Sequence, residues 1–454
     1  MTRSLFVAPG LLALAACNMA PAYVRPAAPV PPALPTGEAY APRTDTKAGL
    51  AWTELVQDAK LRTVIERALA NNRDLRAALA NVQAARGLYR VQRAARLPTI
   101  TADAGANFSR QNDQRQNSYS ADIGFSAFEI DLFGRVRNLT ESALQTYLAT
   151  EEVARATRIS LIAETASAYA TLAADQDLLA LSRQTQASAE RTLALTRSLN
   201  AAGLAGKLDV YQAETTVEQA ASDVAANVTQ VAQDRNAIDL LAGAPVEDAL
   251  LPGPIDSLIP AIARAPAGLS SAILLQRPDV LQAEHQLIAA HADIGAARAA
   301  LFPTISLTSA IGVASSALSA LFTGDAFAWS VSPSARLPIF GGPNRGNLAY
   351  SEAQRDLYLA QYEKAVQTAF REVADSLARD GTIDAQQAAQ RRLVLASERA
   401  FSLAEQRYRS GIDNFLTALS SQRALYAARQ SAIATDLALV SNRVSLYRAI
   451  GADE

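Results

Sequence analysis

Two spacings of hydrophobic residues alternate along this chain, and each returns about 205 positions later. In Thr99 to Phe108 the even positions are apolar (Ile100, Ala102, Ala104, Ala106, Phe108), and Thr101, Asp103, Gly105 and Asn107 lie between them. Ala121, Ile123, Phe125 and Ala127 alternate with Asp122, Gly124 and Ser126. In the second half Ile305, Leu307, Ile311 and Val313 alternate with Thr304, Ser306, Thr308 and Gly312. Trp329, Val331, Ala335, Leu337 and Ile339 alternate with Ser330, Ser332, Ser334 and Arg336. A period of two with one apolar face predicts four strands, each close to the ~9–11 residues of a membrane-crossing strand.

Between the strand pairs the pattern becomes helical. Arg135 to Ala202 holds neither Gly nor Pro over 68 residues, which predicts a helix about 100 Å long at ~1.5 Å per residue. The design recurs from about Asn347 to Ser410, interrupted only by Gly381. Each long helix turns at a glycine-containing loop, Ala201 to Lys207 or Ser410 to Asn414, and a return helix follows. On the first return helix Val210, Val217, Val224, Val231 and Ile238 fall seven apart. On the second the matching column is Ala418, Leu425, Ala432, Leu439 and Leu446, beside Leu419, Tyr426, Ile433, Val440 and Tyr447. A seven-residue period predicts supercoiled helices packed side by side. Shorter helices over about 73–96 and 279–301 stop before Pro98 and Pro303, as the restriction on pre-proline residues requires.

The chain is therefore an internal duplication. Asn72-Arg73-Asp74-Leu75 matches Arg277-Pro278-Asp279-Val280, and Leu97-Pro98-Thr99-Ile100 matches Phe302-Pro303-Thr304-Ile305. Phe133-Gly134 matches Phe340-Gly341, Gly203 with Leu208 matches Gly411 with Leu416, and Gly243 matches Gly451. The period far exceeds the ~20–50 residues of solenoid repeats, so the repeated unit is domain-sized. It divides the chain into a first repeat over 51–245, a linker over 246–276 that overlaps the proline-rich stretch from Pro245 to Pro266, and a second repeat over 277–451.

Composition narrows the function. Of 454 residues 50% are hydrophobic but only 6% aromatic; Ala and Leu dominate, which suits closely packed helices. A net charge of -2 gives no support for a nucleic-acid partner, which needs a clear excess of Lys and Arg. At the N-terminus, Arg3 precedes the apolar run Leu5 to Ala16, which is too short to span a bilayer and reads as a secretion signal over 1–17. It ends in Leu14-Ala15-Ala16-Cys17, similar to a bacterial lipobox, so Cys17 is the expected lipidation (palmitate) site. Asn18, not an inner-membrane-retaining Asp, follows it, which points to the outer membrane of a Gram-negative cell. Residues 18–50 form a proline-rich tether with Pro21, Pro26, Pro29, Pro31, Pro32, Pro35 and Pro42.

Residues 299–324 lack charge, but Pro303, Gly312 and many Ser and Thr break any spanning helix. Half-buried strands of a soluble sandwich remain a rival for the alternating segments. If the strands enter lipid, four of them cannot close a barrel alone, because open edges there leave backbone groups unsatisfied. Oligomerisation is then forced.

The blocks just described resemble the TolC-like outer-membrane factor family, most closely its lipoprotein branch in tripartite (RND-type) efflux pumps. Trp52, Leu55, Asp58, Leu61, Ala68-Leu69 and Asn72 to Leu75 resemble its opening helices, and Phe128-Glu129-Ile130-Asp131-Leu132-Phe133-Gly134-Arg135 its strand-to-helix junction. Arg277 to Val280, Ala283-Glu284 and Ile294 to Ile305 are the most specific stretch, and Pro338 to Gly342 is similar to the second junction. The resemblance implies a mainly α fold with a β-barrel portion: a homotrimer with four strands per copy, a twelve-stranded barrel and a periplasmic helical barrel. It also implies a periplasmic adaptor at the turn loops (Gly203, Leu204, Gly206, Gly411, Ile412), an inner-membrane pump, and contact with outer-membrane lipid. Arg407 and Tyr408 fall where pump-associated members carry an Arg-Tyr pair near the constriction. Those members often continue with Leu-Asp-Ala-Gln, where this chain reads Leu419-Ser420-Ser421-Gln422. Asp413 or Asp209 would then have to supply the acid of a gate latch.

Catalytic chemistry is not expected. His285 and His291 lie six apart, off the shared face that paired helical metal ligands need. The run Gly341-Gly342-Pro343-Asn344-Arg345-Gly346 lacks the Lys and Ser/Thr of a phosphate loop. No cofactor is expected beyond lipid on Cys17. The reading is a passive exit channel for small toxic compounds. A duct for protein secretion and a lipid-anchored periplasmic scaffold without a pore are the alternatives.

Overall fold

The helices and strands begin and end where the sequence supplies caps and stops. The computed structural model describes residues 18–40, 51–112, 114–264, 271–340 and 342–451; Cys17, the signal segment and Gly341 lie outside them. In chain order the elements are α1 (Trp52–Leu55), α2 (Ala59–Asn71), α3 (Arg73–Ala94), β1 (Thr101–Gln111), β2 (Gln114–Ile130), α4 (Arg135–Ala201) and α5 (Lys207–Ala242). They continue with α6 (Ile255–Ala261), α7 (Pro278–Ala299), β3 (Thr304–Ser315), β4 (Phe327–Arg336), α8 (Asn344–Arg409) and α9 (Phe415–Ile450). The long helices have 67 and 66 residues and the return helices 36 each, so the duplication holds almost to the residue. No described helix is long and apolar enough to cross a membrane.

The described chain forms two compact units, and each draws segments from both repeats. The first contains the sheet, in the order β1-β2-β3-β4, all antiparallel. Its register puts Ala102, Ile123, Ile311 and Trp329 in one row, next to Ala104, Ala121, Val313 and Phe327. These belong to the apolar face that the alternation predicts, and it is bare: Trp329 is 69% exposed and Ile311 55%. The other face carries Ser, Thr, Gly and the directly opposed Asp103 and Asp122.

Three details depart from the simple alternation. Ala127, expected on the apolar row, adopts φ 51° in a bulge between Phe125 and Phe128, where Thr308 Oγ1 accepts its N–H at 2.9 Å. β2 runs to 17 residues, well past ten, because it pairs on both edges. β4 stops at Arg336, so Leu337 and Ile339 are outside the sheet. Arg336 is already opposite Thr304, the first residue of β3, and Pro338 has no N–H to offer.

Below the sheet in sequence, Asp131 accepts the N–H of Arg137 at 2.7 Å and so caps the start of α4. Glu129 pairs with Arg135, and Phe133 stacks on Phe302 at 4.8 Å. The start of the proline-rich segment is docked here: Arg25 grips the buried Glu284 of α7 with two bonds of 2.6 Å, and Tyr23 donates to the same carboxylate at 2.9 Å.

The second unit has the largest apolar core, where Leu55, Ile65, Ile162, Tyr169, Ile238 and Tyr447 are fully buried. Here the repeat landmarks show their purpose. Asn72 caps α3 and donates to Leu241 O at 3.1 Å, while Arg73 reaches Gly243 O. In the second repeat Arg277 donates to Ala449 O at 2.6 Å and pairs with Asp279 and Glu372. In both halves, therefore, the opening residues clamp the far end of the same half's return helix.

Candidate functional site

The residues singled out as a gate lie at the turns of two helical hairpins, α4–α5 and α8–α9, in the second unit. Each turn uses a glycine in the left-handed region, Gly203 (φ 74°) and Gly411 (φ 69°). Leu204 N–H bonds Leu199 O at 2.8 Å and Gly203 N–H bonds Asn200 O at 2.9 Å. At the second turn Ile412 N–H bonds Arg407 O and Gly411 N–H bonds Tyr408 O, both at 2.9 Å. These are paired helix-stop bonds that satisfy the terminal carbonyls.

Side chains then separate the candidates. Arg407 and Asp413 come together in a two-pronged pair, 2.6 and 2.9 Å, which pushes the Asp413 carboxyl below its ordinary range. Arg407 is exposed and Asp413 half-buried, so the pair is a partly solvated clasp within one hairpin. Asp209 is elsewhere: its carboxylate accepts the N–H of Gly206 at 3.0 Å and caps α5. Ser420 hydrogen-bonds Leu416 O within its own helix and supplies no acid. Tyr408 turns inward, 6% exposed, with its hydroxyl 3.0 Å from Thr196 and its ring against Phe415. Burial raises its pKa. Leu204 and Ile412 project from the turns, 77% and 64% exposed.

Further along the hairpins lies a layer that the sequence reading did not single out. Tyr426 donates to Asp223 at 3.0 Å and lies 3.2 Å from Ser182 Oγ, which accepts from Asn227 at 2.7 Å. Arg429 bridges Glu398 and Gln184. These residues join α4, α5, α8 and α9. Their only sequence signal was a polar residue beside a heptad column, Tyr426 being the clearest. Among the described residues no three His, Cys, Asp or Glu converge. His285 Nδ1 lies 2.6 Å from Gln145 Oε1 and His291 packs edge-on to Tyr23.

Comparison with known proteins places this geometry. The model of the family described as outer membrane efflux protein matches residues 64–244 and again 269–452. The chain is 43% identical over 453 residues to the solvent efflux pump outer membrane protein SrpC of Pseudomonas putida, covering 97% of this chain and 96% of that one. It is 43% identical over 454 residues to outer membrane protein OprJ of Pseudomonas aeruginosa, covering 97% and 94%. The open-state MtrE outer membrane channel of Neisseria gonorrhoeae superposes with a TM-score of 0.85 at 33% identity, covering 96% and 98%.

Proposed function

The chain belongs to the outer membrane efflux protein family, and from that premise we propose that three copies assemble into one lipid-anchored exit duct. Each copy is an outer-membrane efflux protein with the mainly helical TolC-like fold. In the trimer each copy adds its four strands to a twelve-stranded barrel. A periplasmic adaptor meets the hairpin turns and an inner-membrane pump supplies the energy. Cys17 carries the lipid. The relatives' names point to solvents and other small organic compounds as the cargo class.

One observation carries this reading: a four-stranded sheet with both outer strands, β1 and β4, unpaired on one side and an apolar face bare. In lipid such edges leave N–H and C=O groups without partners, and closure with further copies satisfies them. Exposed Leu204, Leu208, Ile412 and Leu416 at the turns suit an adaptor that docks by apolar contact. Charge on Arg407 and Asp413 suits a gate that moves as whole hairpins between packed states.

The test is the mass and location of the Cys17→Ser protein. A trimer, three times the 48.0 kDa chain less any cleaved signal, extracted from the outer membrane supports the barrel. A soluble monomer in the periplasm overturns it and leaves the scaffold.

A further inference from the structure

We propose that a crevice between α4 and the α8–α9 hairpin binds a small amphipathic organic anion, with its carboxylate on Arg191 and Gln422. Gln422 of α9 is 7% exposed, and its Nε2 has no hydrogen-bond partner. A buried amide donor left unsatisfied is costly, so native folds rarely keep one without a use. Gln422 lines three cavities, and two of them, of about 260 and 430 Å³, share Arg191, Phe401, Glu405 and Arg409. Together they reach the ~300–1,000 Å³ of small-ligand sites.

The lining defines the ligand. Phe401 with Leu195 and Leu419 gives an apolar wall for a ring or short chain. Glu405 is engaged by Arg409 at 2.7 Å, so that pair is internally neutral. Arg191 makes no ion pair among the described residues and leaves one net positive charge at the mouth. A guanidinium and an amide N–H₂ together match the two oxygens of a carboxylate. A ligand here touches one hairpin through α4 and the other through α8 and α9, and so stabilises their packed arrangement. That consequence for gating rests on the duct reading; the binding itself does not.

The test is equilibrium dialysis of full-length protein in lipid nanodiscs against 4-phenylbutyrate and the uncharged 4-phenylbutanol. Saturable binding of the acid is expected at one per chain. The alcohol, Arg191→Gln and Gln422→Leu should each weaken it about tenfold or more, as loss of a charge-assisted bond does. Gln422→Leu removes a buried unsatisfied donor and should fold at least as stably, which a thermal melt checks. No saturable binding, equal uptake of acid and alcohol, or unchanged affinity in both variants overturns the proposal. Bilayer conductance is recorded on the same preparation. Conductance without acid binding removes the crevice alone, whereas its absence removes the duct reading.

Discussion

The first hairpin reverses through Gly203 at φ 74° and the second through Gly411 at φ 69°. Both close with the same pair of backbone bonds, to Leu199 and Asn200 or to Arg407 and Tyr408. Their side chains differ. Asp209 turns back to cap its own helix, while Asp413 reaches across the second turn to Arg407. The backbone repeats because a reversal between antiparallel helices demands a left-handed residue. Side chains at the turn face solvent, so no packing constraint holds them alike. The opposite ends of the return helices behave differently again. Gly243 and Gly451 also have positive φ, but they are packed: a Cβ on Gly243 would lie 2.7 Å from Asn71 O, and one on Gly451 2.9 Å from Arg277 Cγ. At Gly203 and Gly411 it would meet nothing within 4 Å. The same dihedral thus serves geometry at the turns and close packing at the clamps.

That contrast is broken most strongly at the clamps. Gly243→Ala should cost about 3 kcal/mol, combining left-handed strain with a backbone clash, and should depress the thermal melt. Gly451→Ala should cost a similar amount, because the Arg277 side chain it would meet is itself held by Ala449 O, Asp279 and Glu372. Arg277→Ala should cost about 3 kcal/mol, since it strips a buried cation from Glu372 and Ala449 O. Asn72→Ala, its counterpart, should cost about 1–2 kcal/mol as a lost cap. An equal effect of both would show the clamps to be interchangeable.

At the turns Gly203→Ala and Gly411→Ala should each cost about 1 kcal/mol from strain alone. Asp413→Ala should barely move the melt, yet it should admit large antibiotics if the Arg407 clasp holds the tip. Unchanged susceptibility would remove Asp413 from the gate. The smallest effect is on pH. Asp413's carboxyl is depressed, so its contribution is present above the unfolded value of ~3.9 and lost only as pH falls below it. Asp175 is the reverse: burial and the neighbouring Asp234 carboxylate raise its pKa. Its unfavourable ionisation therefore erodes stability as pH climbs from ~4 toward neutrality. Asp175→Asn should flatten that fall in a melt series from pH 4 to 8, whereas Asp413→Asn should leave the series unchanged.

Much of the architecture was legible because periodicity is a local property. A period of two placed all four strands, and a period of seven placed the return helices. The absence of Gly and Pro marked α4, and duplicated landmarks set both repeats in register. The turns were legible too, since glycine announces a left-handed residue. Partner choice was not. Asp209 and Asp413 were equal candidates for the latch in sequence, and only the fold sent one to Gly206 and the other to Arg407. Ala127 looked like one more apolar strand position until β3 imposed a bulge. The proline-rich segment read as an extended tether, and only the proximity of Glu284, some 260 residues on, pins Arg25 and Tyr23 to α7. The unsatisfied amide of Gln422 has no sequence signature at all, because satisfaction depends on what three helices bring to one place. Hydrophobic spacing along the chain determined which elements form and which of their faces are apolar. Long-range packing alone decided which polar groups meet, since a hydrogen bond needs angstrom-scale placement that no one-dimensional pattern encodes.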